Sequence, residues 1–372
     1  MVFERTEYAA RLDRVRKAML AREIDLLIVD QSEFLIYLTG FSISENMYRA
    51  CLVPLEGDPV MVLRAVDLGP FQDSSWLNKA IAFADWEDPV VVAAKAISEL
   101  GYAAKNVGVD EESYNMPLKR FKQLQSLLPE TSFVDFSGVL ECLRARKSPP
   151  EIALIRQASK IADLGILAAV EDAAEGRSAR DAAAVVHQVF MREGADTSRA
   201  GIITAGVGNN FLHGYLTGTP LKSGDILHLE LLPLVQCYSA RIMRSAVIGN
   251  VGERAHVAEQ LLEIQDRQFA AMKPGAIASD VDMIAREGML ASKLRPDYLN
   301  ITGYSLGLYP IHTPRTSDFT RIFLPTSKWQ LESGMVFHMY VSAAGLAFSE
   351  TILVTDTGCE RLTQAPRQVF EV

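Results

Sequence analysis

The sequence predicts an α+β protein of two domains: an α/β domain over residues 1–143, and over residues 148–372 a domain in which helices precede a run of strands. Three observations carry this. A chain of 372 residues exceeds what one hydrophobic core usually organises. The stretch Arg144-Ala145-Arg146-Lys147-Ser148-Pro149-Pro150-Glu151 reads as a boundary, charged and then rich in proline. After residue 195 the helical periodicity gives way to strands and turns.

Taken in order, Tyr8, Leu12, Val15 and Met19 recur at helical spacing, and the apolar run Ile24–Val29 has the length of a strand. Strand-like runs at 51–54 and 60–63 flank the turn Glu56-Gly57-Asp58-Pro59. A helix ending near Leu100-Gly101 then precedes a strand at 107–109. Ser148 with Glu151 three residues on forms a capping box, and proline suits the first helical turn because its missing N–H has no partner there. A helix therefore starts at 149, and a second runs from 179 to 193, ended by Gly194. In the strand 226–231 side chains alternate, so Ile226, His228 and Glu230 oppose three leucines. Residues 238–248 return as its partner, with Ser239, Arg241 and Met243 on one side. Val336, His338 and Tyr340 share a face, and the last strand covers 348–355.

The net charge of −9 comes without a basic block, which argues against nucleic acid as a partner. No run approaches the roughly 18 apolar residues of a membrane span, and the N-terminus lacks a signal-peptide core. The expectation is a cytoplasmic protein with no membrane partner. Cys51, Cys142, Cys237 and Cys359 stand singly, without disulfide or zinc spacing.

Several segments resemble the creatinase and Xaa-Pro peptidase superfamily, in the order that family shows. They are Asp25–Val29 with Tyr37-Leu38-Thr39-Gly40-Phe41, then Lys147–Ile152, Gly224-Asp225, Gly334–Phe337 and Glu350–Thr355. The resemblance implies a creatinase-type N-terminal domain and a pita-bread catalytic domain, in which helices back a curved antiparallel sheet whose concave face holds the site. Metallopeptidases of this kind bind two divalent ions there through two Asp, one His and two Glu. The resemblance puts Glu230, Arg241, Tyr304 and Tyr340 at the first four of those positions and Glu350 at the last. Two carboxylates and a permanently charged guanidinium do not supply the hard anionic oxygens two such ions need. The sequence thus predicts no metal and no other cofactor.

Thr302-Gly303-Tyr304-Ser305-Leu306-Gly307 and Phe337-His338 resemble the metal-free branch, creatinase and the ectoine hydrolases, which cleave non-peptide C–N bonds. His213, in Gly206–His213, falls on that branch's proton-shuttling histidine. His213, Glu230 and Glu350 are therefore the catalytic candidates, the two acids serving as water-holder, nucleophile or cation site, or else as structural partners of Arg241. Arg241 suits a substrate carboxylate. Tyr304 and Tyr340 are candidate oxyanion donors or plain packing, and His312 and His338 are further substrate-binding candidates. The resemblance also implies a homodimer in which the segment after Phe41, with Tyr48 and Arg49, reaches the partner's pocket. Three functions stay open: a metal-independent hydrolase of a small carboxylate-bearing amide, amidine or guanidino compound, a metal-dependent Xaa-Pro peptidase with atypical ligands, and a non-catalytic binding protein.

Overall fold

The computed structural model describes residues 2–41, 47–196, 201–206 and 212–372. The chain divides into two compact units, one of residues 1–144 with 312–314 and one of residues 145–311 with 315–372.

The first unit alternates helix and strand. Helix α1 (Arg5–Leu20) buries Tyr8, Leu12, Val15 and Met19, the stripe its spacing predicts, and leads into β1 (Leu26–Val29) and α2 (Ser32–Thr39). Strands β2 (Ala50–Pro54) and β3 (Val60–Arg64) follow, then α3 (Leu68–Ser74), β4 (Ala80–Phe83), α4 (Pro89–Glu99), β5 (Asn106–Val109), α5 (Leu118–Leu127), β6 (Ser132–Asp135) and α6 (Val139–Leu143). The sheet order is β4-β3-β2-β1-β5-β6. It is mixed, with β1 antiparallel to β2 and parallel to β5. One apolar layer, including Val15, Leu27, Phe34 and Leu63, packs on one face of this sheet, and another, including Leu26, Leu52, Val62 and Ile97, on the other.

The second unit opens with α7 (Pro149–Asp172), whose entry is fixed by the backbone N–H of Ser148 donating to Glu151 Oε2 at 2.8 Å. The other oxygen of Glu151 accepts from Tyr238 Oη at 2.8 Å, tying the helix start to the sheet region. Helix α8 (Ala179–Arg192) carries a reciprocal capping box: Ser178 N–H donates to Asp181 Oδ2 at 2.8 Å and Asp181 N–H to Ser178 Oγ at 3.3 Å. Strands β7 (Gly201–Gly206) and β8 (Ile226–Leu231) come next, then the ribbon of β9 (Leu234–Val235) and β10 (Tyr238–Ser239), then β11 (Ile242–Val247). Helices α9 (Arg254–Ala271) and α10 (Ala278–Ala291) precede β12 (Gly303–Ser305), β13 (Ile322–Phe323), β14 (Val336–Ala343), β15 (Leu346–Val354), β16 (Cys359–Arg361) and β17 (Phe370–Glu371). The main sheet runs β13-β12-β14-β15-β11-β8-β7, with β16 beside β15 and β17 beside β11.

Its two faces differ chemically. Leu227, Leu229, Leu231, Ile242 and Ala246 pack against Ala158, Ile166, Val186 and Phe190 of α7 and α8, and each fully buried leucine stabilises by roughly 1.5–3 kcal/mol. Gly165 lets α7 come this close, since a Cβ there would meet Leu231 Cδ1 at 2.9 Å and Phe190 Cε1 at 3.0 Å. Toward the other end, Val341, Ala343 and Phe348 pack under Leu261, Ile264 and Met289 of α9 and α10. The opposite face of the sheet is left for polar groups. Among the described residues no helix is long and apolar enough to cross a membrane.

Candidate active site

Register decides which side chains meet on the polar face. Directly paired residues of neighbouring strands share a face, so the pairings Ile202↔Glu230, Glu230↔Met243, Met243↔Ser349 and Ser349↔Tyr340 form one row across four strand boundaries. Two residues along, Thr351↔His338, His338↔Tyr304 and Tyr304↔Ile322 make a second row. Gly303 sets β12 against β14 here, because a Cβ would collide with Met339 Sδ at 2.3 Å. Arg241, just before β11, is held by Thr351, whose Oγ1 accepts from its N–H at 2.8 Å and donates to its carbonyl at 2.9 Å.

These rows floor a cavity of ≈330 Å³ to which Glu230, Arg241, Tyr304, Tyr340, Asn300 and His213 contribute. Met243, Leu212 and Ile301 supply apolar wall. The structure thus brings together five sequence-predicted residues: His213, Glu230, Arg241, Tyr304 and Tyr340. The stretch 207–211 preceding His213 lies outside the described residues.

An ion pair dominates the electrostatics. Arg241 Nε stands 2.6 Å from Glu230 Oε1, with side-chain exposures of only 10% and 3%. Burial by itself raises a carboxyl pKa, but the guanidinium reverses the sign and, with His228 beside it, brings Glu230 down to about 2. Glu230 is therefore ionised throughout the physiological range. Desolvation works against the charge of Arg241, yet Glu230 outweighs it and its pKa is raised. The guanidinium also lies 5.5 Å from the centre of the Tyr304 ring. Burial pushes both Tyr304 and Tyr340 upward, so each keeps its phenolic proton and is available as a donor. Tyr340 Oη accepts from Asn300 Nδ2 at 3.2 Å.

Five sequence expectations are corrected. Glu350 does not face the cavity. It sits one residue from Ser349 on β15, so it points to the helix-backed side, where Oε1 accepts from Arg244 Nη2 at 2.8 Å and Oε2 from Thr363 Oγ1 at 2.5 Å. Ser349 occupies the cavity-side position instead. His338 shares the polar face but lies beneath the cavity, fully buried, stacked on Tyr340 at 5.4 Å and edge-on to Tyr304 at 4.9 Å. Burial, then the nearby Arg241 charge, lowers it to about 3 and keeps it neutral. His312 is exposed and belongs to the short stretch grouped with the first unit, so it is not a lining residue. Tyr48 and Arg49 are 4% and 3% exposed inside the first unit. Arg120 lies 4.5 Å over the Tyr48 ring, and Arg49 Nη2 donates to Ser32 Oγ, so neither side chain projects outward. The segment 42–46 lies outside the described residues. Sequence reasoning also passed over Asn300, although it stands two residues before the Thr302–Gly307 motif.

Fold and cavity define a pita-bread protein of the hydrolase type. The pattern of the metallopeptidase family M24 matches residues 153–356 and that of the creatinase/prolidase N-terminal domain residues 11–146, and the chain belongs to metallopeptidase family M24. It is 28% identical to the ectoine hydrolase of Halomonas elongata over 99% of this chain and 98% of that one. It is 29% identical to the Xaa-Pro dipeptidase of Pyrococcus furiosus over 75% and 80% of the two chains. The prolidase structure from Pyrococcus horikoshii OT3 superimposes with a TM-score of 0.83 at 23% identity, covering 97% of this chain and 100% of that one.

The family name implies metal ions, and the donor set here does not fit them. Among the described residues Glu230 is the one carboxylate lining the cavity and a guanidinium already occupies it, while the phenols stay protonated. Among the described residues no group of three or more His, Cys, Asp or Glu is placed to hold an ion.

Proposed function

We propose that this protein hydrolyses a C–N bond in a small carboxylate-bearing amide, amidine or guanidino compound, and does so without a metal ion. The observation that carries the reading is the Glu230–Arg241 ion pair, which supplies within the cavity the charge compensation that bound cations would otherwise provide. Similarity to an ectoine hydrolase across nearly the full length of both chains supports it.

In this reading water adds to the carbon of the scissile bond. Where the substrate is an amide, Tyr304 and Tyr340 donate hydrogen bonds to the carbonyl oxygen that gains negative charge. His213 takes the proton from the attacking water and returns it to the departing nitrogen. Glu230, with its pKa near 2, is too weak a base for that transfer, and its negative charge instead favours a substrate whose C–N group carries or develops positive charge. Met243, Leu212 and Ile301 shield the reacting atoms from bulk water.

A second reading, metal-dependent cleavage of Xaa-Pro dipeptides, is favoured by the similarity to the Pyrococcus furiosus enzyme. The two part under one experiment. Protein purified without chelator is analysed for manganese, cobalt, zinc and iron, then assayed against N-acyl amino acids, cyclic amidines, guanidino acids and Xaa-Pro dipeptides. Turnover of a non-peptide compound, unaffected by chelator, is the expected result. About two metal equivalents per chain with dipeptide turnover overturns the proposal, and no turnover of any member favours a binding protein.

A further inference from the structure

A second cavity of ≈440 Å³ adjoins the first and shares Leu212, His213, Asn300 and Tyr340 with it. Its remaining wall includes Arg295 and Asp297 and the small residues Ser342, Ala343 and Ala344 at the β14–β15 turn, where Ala344 takes a φ of 51°. Neither the metal question nor the proton transfer uses this space.

We propose that this cavity is a recognition subsite for a carboxylate and that Arg295, rather than Arg241, is the residue that binds it. The inference rests on the hydrolase reading for the identity of the whole substrate, but not for the anion site itself. Arg241 is a poor candidate because Glu230 already occupies it at 2.6 Å, and a second anion brought there would meet the ionised Glu230. Arg295 is differently placed. Its Nη1 donates to Asn300 Oδ1 at 3.0 Å, and its guanidinium carbon lies 4.6 Å from the centre of the Tyr298 ring. These two contacts fix the fork in advance, which lowers the ordering cost of binding.

Among the described residues no carboxylate forms a salt bridge with Arg295, and no acceptor engages its Nε or Nη2. Asp297 lines the same cavity but is exposed, so water screens its charge. A planar fork with free donors, half-buried at a cavity wall, matches the two oxygens of a carboxylate.

Asn300 joins the two spaces. Its Oδ1 accepts from Arg295, and its Nδ2 donates to Tyr340 Oη, a group of the first cavity. A substrate with its carboxylate on Arg295 and its C–N bond beside Tyr340 spans both, and the contact with Asn300 couples anion recognition to the orientation of the tyrosine.

The test reads binding, from the heat of association after any heat of turnover is subtracted. Calorimetric titration compares N-acetylglycine with N-acetylglycinamide, two probes that differ in the charge of one end. The wild-type protein is expected to bind the acid at least tenfold more tightly than the amide. Arg295→Gln is expected to abolish that preference and Arg295→Lys to restore part of it, with each variant's melting temperature recorded as a check on folding. A preference that survives in Arg295→Gln, or a wild-type protein with no preference for the acid, overturns the proposal. The hydrolase reading fails separately, by absence of turnover across the substrate panel while the acid preference persists.

Discussion

Glu350 Oε1 accepts from Arg244 Nη2 at 2.8 Å, and neither side chain has any measurable contact with solvent. Arg244 spends its other donors on the carbonyls of Met243, Ser349, Ala365 and Pro366, so the pair is wired into the sheet and the C-terminal segment together. Removing one member leaves the other buried and uncompensated, which costs about 3–5 kcal/mol. Glu350→Ala is therefore expected to lower the urea midpoint strongly, and any loss of activity should track the unfolded fraction. A folded, stable Glu350→Ala protein without turnover would return Glu350 to the chemistry.

The Glu230–Arg241 pair predicts a stability change with a defined sign. The folded state holds the Glu230 carboxyl near pKa 2, below its ordinary 4.5, so the unfolded chain binds the proton more readily. The contribution is full above pH ~4.5 and is lost as pH falls toward 2. At about 1.4 kcal/mol per tenfold change in proton affinity, it amounts to about 3 kcal/mol. Denaturation curves from pH 6 downward should show a slope that Glu230→Gln removes in part.

His338 is expected to remain neutral. Its folded pKa of about 3 lies under the usual 6.5, so unfolding takes up a proton and stability falls as the pH drops below 6.5. Its ring-proton NMR signal should hold constant between pH 8 and pH 5. A titration midpoint inside that window would contradict its burial beneath Tyr304 and Tyr340.

Catalysis offers two further measurements. His213→Ala should lower kcat by roughly 10²–10⁴-fold with little change in melting temperature, the usual scale of general acid–base assistance. Tyr304→Phe and Tyr340→Phe should each lower kcat by about 10²-fold or more, the scale of a lost oxyanion donor, while KM changes little. An unaltered kcat in both tyrosine variants would reduce them to packing residues.

The sequence by itself determined the two-domain α+β class, the apolar stripe of α1, the capped start of α7 and the face shared by His228 and Glu230, while only the resemblance put Glu230, Arg241, Tyr304 and Tyr340 at one site. Helical stripes, the Ser148–Glu151 cap and the alternation of Ile226–Leu231 are local patterns that a linear reading can follow. Tertiary structure alone decided between Ser349 and Glu350, because all nine residues of β15 are buried. A strand covered on both sides shows no polar and apolar alternation, so a one-residue error in register goes unseen until the neighbouring strand fixes it. Tertiary structure also decided the place of Tyr48 and Arg49, which the resemblance sent to a partner's pocket but which are buried beside Ser32 and Arg120. Arg295 and Asn300 acquired meaning only when the loop after α10 was folded back beside Tyr340, since proximity between residues 295 and 340 is a property of the packed chain and leaves no trace in their local sequence.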